Sequence, residues 1–162
     1  MMISQKMLEA LNNQVTKEFY SAWYYLSMAV WAAKENFDGT YNFMTKQAKE
    51  EEEHAMKFIK YILDSGGEVK LGAIEEPPKE FESLKDIFAK ALEHERYVTS
   101  LIKKLVELSY EEKDYTTLNF LQWFLEEQVE EESTMSNILA KLEMIGESKN
   151  GLFMIDSHLG QR

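Results

Sequence analysis

Ala48-Lys49-Glu50-Glu51-Glu52-Glu53-His54 decides how this chain is read, through the Glu51-x-x-His54 pair at its end. On a helix, a spacing of three puts the carboxylate and the imidazole on one face, a turn apart, where both can reach a single metal ion. An isolated pair in a chain that is 29% charged needs no metal, because Glu-x-x-His on a solvated helix face is common. The register of the pair is what matters. The apolar row of the helix expected from about Tyr41 to Ser65 reads Met44, Gln47, Glu51, His54, Phe58, Tyr61, so the pair falls where apolar residues belong. Glu52 and Glu53 fall on its flanks.

Three other helical rows are interrupted in the same way. A helix capped by Ser4 and running to about Asn36 carries Leu8, Leu11, Val15, Glu18, Ala22, Tyr25 and Ala29 at alternating steps of three and four. A third helix, opened by Ser83-Leu84-Lys85-Asp86 and ending near Ser109, shows Leu84, Phe88, Ala91, Glu95, Val98, Ile102 and Leu105. The fourth, ending near Gly146, shows Leu121, Phe124, Gln128, Glu131, Met135, Ile138 and Leu142. Asp38-Gly39-Thr40 reads as the turn of the first hairpin and Glu111 to Asp114 as that of the second. Glu95 and Glu131 lie equally far from Lys113, so antiparallel packing sets them level; the same count about position 38 fails for the first hairpin.

Between the second and third helices, Gly66-Gly67 and Pro77-Pro78 mark a loop of roughly fifteen residues, long enough to reach ~50 Å. It can travel the whole length of a bundle and start the third helix parallel to the second. The predicted fold is all-α: a four-helix bundle over about 4–146 with this long crossover, and a short fifth helix over about 148–159, all within a single domain spanning 1–162.

Composition narrows the partners. The formal charge of −11 disfavours nucleic acid and anionic membranes and favours cations. With no cysteine, the ligands are oxygen and nitrogen, and thiolate and iron–sulfur chemistry are excluded. The first residues carry no apolar run of signal-peptide length, and a cytoplasmic location is expected. Residues 19–33 are apolar except for Ser21 and Ser27, too short for a comfortable membrane span. A helix apolar on nearly every side implies subunit contacts through Tyr20, Trp23, Tyr24 and Trp31, hence a homo-oligomer.

Buried carboxylates from four helices are costly unless a dication neutralises them. Glu51 is placed to be shared by two metals, with Glu18 and His54 completing one site and Glu95 and Glu131 the other, the arrangement of di-iron carboxylate bundles. One imidazole among carboxylates suits Fe2+ or Mn2+. Met28, Met44, Met56 and Met135 are assigned to packing rather than haem, and His94, about 100° from Glu95, to the surface.

These residues also carry a family resemblance. Glu18-Phe19-Tyr20-Ser21 with Tyr25, the stretch from Ala48 to His54, Glu95, Asn119-Phe120-Leu121-Gln122-Trp123, and Glu127-Gln128-Val129-Glu130-Glu131-Glu132 resemble the bacterial and archaeal non-haem ferritins over essentially the full length. The resemblance implies a first iron at Glu18, Glu51 and His54 and a second at Glu51, Glu95 and Glu131, with Gln128 beside them. It further implies a third iron at Glu50, Glu127, Glu130 and Glu131, and a redox-active or hydrogen-bonding Tyr25. The implied function is iron storage with ferroxidase activity: Fe2+ is oxidised by O2 or peroxide, and Fe3+ is deposited as mineral in a hollow shell of 24 subunits. Bacterioferritins, the haem-binding alternative, place a second His where this chain has Glu131 and a haem-ligating Met where it has Glu52. A soluble di-iron or di-manganese oxidase and a helical scaffold without chemistry are the remaining alternatives.

Overall fold

The computed structural model describes residues 2–162, and five helices account for most of them. They are α1 (Gln5–Lys34), α2 (Asp38–Asp64), α3 (Leu84–Glu111), α4 (Tyr115–Ile145) and α5 (Lys149–Leu159). Among the described residues no helix is long and apolar enough to cross a membrane. Four helices open on a side-chain cap of their own. Ser4 accepts from the Met7 N–H at 2.9 Å, Ser83 from Asp86 at 3.0 Å, Asp114 from Thr117 at 3.0 Å and Ser148 from Gly151 at 3.1 Å.

The start of α2 corrects the sequence reading. Asp38-Gly39-Thr40 is the first turn of the helix, and the hairpin turn lies at Glu35, Asn36 and Phe37. Phe37 gives no side-chain cap. Asp156 of α5 caps instead, accepting from the Gly39 N–H at 3.2 Å, the Thr40 N–H at 2.7 Å and the Thr40 hydroxyl at 2.7 Å. Gly39 is required for this approach, since a Cβ there would sit 1.7 Å from the Asp156 carbonyl oxygen. The revised turn also repairs the register. Glu18 and His54 are equidistant in sequence from Asn36, as Glu95 and Glu131 are from Lys113. Both turn centres adopt positive φ, 63° at Asn36 and 54° at Lys113, and close alike, with Phe37 donating to Ala32 and Asp114 to Ser109, each at 2.8 Å.

The crossover behaves as its length requires. It is tied to the beginning of α1 where Lys70 N–H donates to Asn12 Oδ1 at 2.7 Å, and further along where Ser27 donates to the Pro78 carbonyl at 2.6 Å. Phe81, at its far end, stacks on Tyr24 and meets Trp31 edge-on. So α3 begins at the end of the bundle where α2 begins, and the two run parallel.

Two apolar clusters fill the interior. One contains Ala29, Met44, Phe88, Leu92 and Met135; the other contains Val15, Phe58, Val98, Leu121 and Phe124. Each long helix crosses from one cluster to the other at the carboxylates found in the sequence: Glu18 on α1, Glu51 on α2, Glu95 on α3 and Glu131 on α4. The packing therefore places a single polar layer at mid-bundle.

Candidate metal centre

Glu18, Glu51, His54, Glu95, Gln128 and Glu131 are all buried in this layer. Ligand atoms of Glu18, Glu51 and His54 lie within 4.8 Å of one another, and so do those of Glu51, Glu95 and Glu131. Glu51 belongs to both groups. His54 Nδ1 is 3.3 Å from Glu51 Oε2 and 3.9 Å from Glu18 Oε2.

Amides and a phenol orient the carboxylates. Gln14 donates to Glu18 Oε1 at 3.0 Å; Gln47 donates to Glu51 Oε1 at 3.0 Å and to Glu131 Oε2 at 2.7 Å. Gln128 turns its nitrogen to Glu95, reaching both the backbone oxygen and Oε2 at 3.1 Å. The Tyr25 hydroxyl donates to Glu95 Oε1. Gln14 and Gln47 carried no role in the sequence reading, yet a signal was there: each stands four residues before a seam glutamate, a turn away on the same face.

Burial dominates the electrostatics. It pushes Glu18 well above the usual carboxylate range, with Glu51 adding to the rise, and raises Glu51 through burial followed by the charges of Glu95 and Glu131. Glu95 is raised chiefly by burial, and Glu131 reaches about 8 through burial and then Glu95. Burial likewise lifts the Tyr25 phenol, which stays a donor. Four ionised carboxylates are matched in charge by two dications. Glu18 Oε2 is buried without a hydrogen-bond partner among the described residues, the condition expected of an oxygen whose partner is a cation. The donor set, all oxygen apart from one imidazole, fits iron.

The acids next to this layer fall into three kinds of placement. Glu127 lies 3.8 Å from His54 Nε2 and groups with His54 and Glu131. Glu50 faces Arg162 at 2.9 Å, and Glu130 is exposed, as are Glu52 and Glu53. His94 corrects the sequence reading, because it is buried. Its Nε2 is 2.7 Å from Ser21 Oγ, and the rings of Tyr20, Tyr24, Tyr25 and Tyr97 surround it. Desolvation lowers it to about 4. The packing of α1 along α3 makes the buried face of α3 wider than one row. Of the aromatic residues expected at a subunit contact, only Trp23 is exposed, together with Leu26 and Val30; Tyr20, Tyr24 and Trp31 are half-buried against this same region.

A bundle of parallel and antiparallel helices enclosing a shared carboxylate between two candidate ligand groups has the layout of the carboxylate-bridged metal bundles. A family model described as Ferritin-like domain matches residues 8–145, and the chain belongs to that family. It is 44% identical over 159 residues to a probable bacterial non-heme ferritin-like protein of Haemophilus influenzae, covering 98% of this chain and 96% of that one. It is 41% identical to a bacterial non-heme ferritin of Campylobacter jejuni, covering 98% and 95%. The open pore ferritin of the archaeon Archaeoglobus fulgidus superposes with a TM-score of 0.98 at 48% identity, with 99% of each chain covered. Storage of iron with oxidation of Fe2+ is the activity that goes with this membership.

Proposed function

We propose that Fe2+ is oxidised in pairs at the mid-bundle layer, one ion held by Glu18, Glu51 and His54 and the other by Glu51, Glu95 and Glu131. The sharing of Glu51 between two ligand groups is the observation that carries this reading. Reduction of O2 to peroxide, or of peroxide to water, takes two electrons, and two adjacent Fe2+ ions supply one each. The protein contributes charge neutralisation and position: Gln128 and Tyr25 hold Glu95, and Gln47 holds Glu51 and Glu131. Glu127, beside His54 and Glu131, is the best placed member of a third position completed by Glu50, Glu130 and Glu131.

Fe3+ then leaves for a mineral inside a hollow shell of 24 copies of this single-domain chain, in the cytoplasm and without haem. The exposed Trp23, Leu26 and Val30 on α1 supply apolar surface for assembly. Aerobic Fe2+ oxidation by the native protein and by Glu51→Ala/His54→Ala tests the centre. The initial rate of the double variant falls to the uncatalysed level; equal rates would refute the assignment.

A further inference from the structure

Arg162, just beyond α5, reaches back onto α2. Its guanidinium donates to the Phe43 carbonyl at 3.2 Å and to Gln47 Oε1 at 2.8 Å, lies 2.9 Å from Glu50 Oε2, and sits 4.4 Å from the centroid of the Phe43 ring. The other end of the Gln47 amide faces the metal centre, where Nε2 donates to Glu51 and Glu131. A guanidinium only donates and an ionised carboxylate only accepts, so one amide orientation alone satisfies both ends, and Gln47 adopts it. Gln47 is only 1% exposed, which shuts out water as a substitute partner. The planar fork of arginine serves Gln47, Phe43 and Glu50 at once, which a lysine ammonium does not.

We propose that Arg162 is a positioning residue for Fe2+ oxidation: by holding the Gln47 carbonyl oxygen it fixes the amide hydrogens on Glu51 and Glu131, the carboxylates that the second iron position requires. Conserving those hydrogen bonds gives α5 a function beyond capping. The Asp156 clamp on Gly39 and Thr40 keeps α5 on α2, and α5 in turn delivers a cation to the support of the centre. Chains of hydrogen bonds polarise one another, so the guanidinium also strengthens the Gln47 donor. The proposal rests on the two-ion reading above.

Titration of the assembled, metal-free protein with Co2+, followed by calorimetry and by the visible bands of the bound ion, separates the two positions without redox chemistry. Arg162→Ala is expected to leave the first equivalent per subunit and its bands unchanged and to weaken the second roughly tenfold, the effect usual for an outer-shell partner. Gln47→Leu should reproduce that loss, and the double variant should lose no more than either single one. Native affinity for both equivalents in Arg162→Ala, or losses that multiply in the double variant, overturns the proposal. If Arg162→Ala does not assemble, Arg162→Lys, which keeps the charge and loses the planar fork, carries the test, and an unchanged second equivalent is again the contrary result. Glu51→Ala is the control: if it keeps both equivalents, the two-ion reading has failed, whereas loss of both there with none in Arg162→Ala removes only the role of Arg162.

Discussion

The α1–α2 half of the centre offers Glu18 and His54, and the α3–α4 half offers Glu95 and Glu131. The turns that set these pairs level are built alike, yet the halves differ in how their ligands are held. Glu95 receives Tyr25 and Gln128, and Glu131 receives Gln47, so the all-carboxylate half is fixed by protein donors. Glu18 has Gln14 on one oxygen and, among the described residues, no hydrogen-bond partner on the other. An imidazole also ligates without adding negative charge. One half is therefore preorganised and crowded with like charge, and the other is less crowded and left open to a cation. The imidazole half should therefore load first, and the carboxylate half should depend on its supporting hydrogen bonds.

The largest effect should follow from Glu51→Ala, which removes the ligand common to both halves. Stopped-flow measurement of Fe2+ oxidation should show an initial rate lower by roughly a hundredfold or more. Next come the single-half variants. His54→Ala should abolish the first Co2+ equivalent and Glu131→Ala the second, each leaving the other measurable by calorimetry; identical losses in the two variants would erase the distinction between halves.

The pH dependence of the metal-free protein sharpens the same contrast. Glu131 rises from 4.5 to about 8 on folding, so the folded state holds its proton more tightly than the unfolded chain. Its contribution to stability is complete below about 4.5 and is lost as the pH climbs through about 8. The Tm of metal-free protein should fall over that window, and Glu131→Gln or saturation with Co2+ should flatten the slope. A smaller effect is expected from Tyr25→Phe, which keeps the packing and deletes one donor to Glu95. It should cost about 2 kcal/mol in denaturant unfolding of the metal-free protein, within the range for leaving one buried acceptor without its partner. Glu52→Gln and Glu53→Gln, exposed on the flanks of α2, should shift stability by no more than about 0.5 kcal/mol and leave both metal equivalents in place.

The bundle was legible because each long helix shows a three-and-four apolar rhythm broken by one carboxylate, and because the crossover's length allows only a few connections. The first hairpin's register was hidden. Asp38-Gly39-Thr40 reads locally as a turn, and the residue that makes it helical, Asp156, is supplied by α5 from far along the chain. His94 escaped for a related reason: a second packing partner widens the buried face of α3, and periodicity along one helix does not reveal its neighbours. Arg162 carried no pattern whatever, since its contacts with Gln47 and Glu50 exist only once α5 has docked. Gln14 and Gln47 were legible in principle, each standing one turn ahead of a buried glutamate.

The most direct test is the position of iron in crystals soaked briefly with Fe2+ without oxygen and examined by anomalous scattering at the iron edge. Two peaks per subunit are expected at mid-bundle, with Glu51 between them, His54 Nδ1 on one and Glu95 and Glu131 on the other. A single peak, or iron bound only at the outer acids with Glu51 unligated, would contradict it.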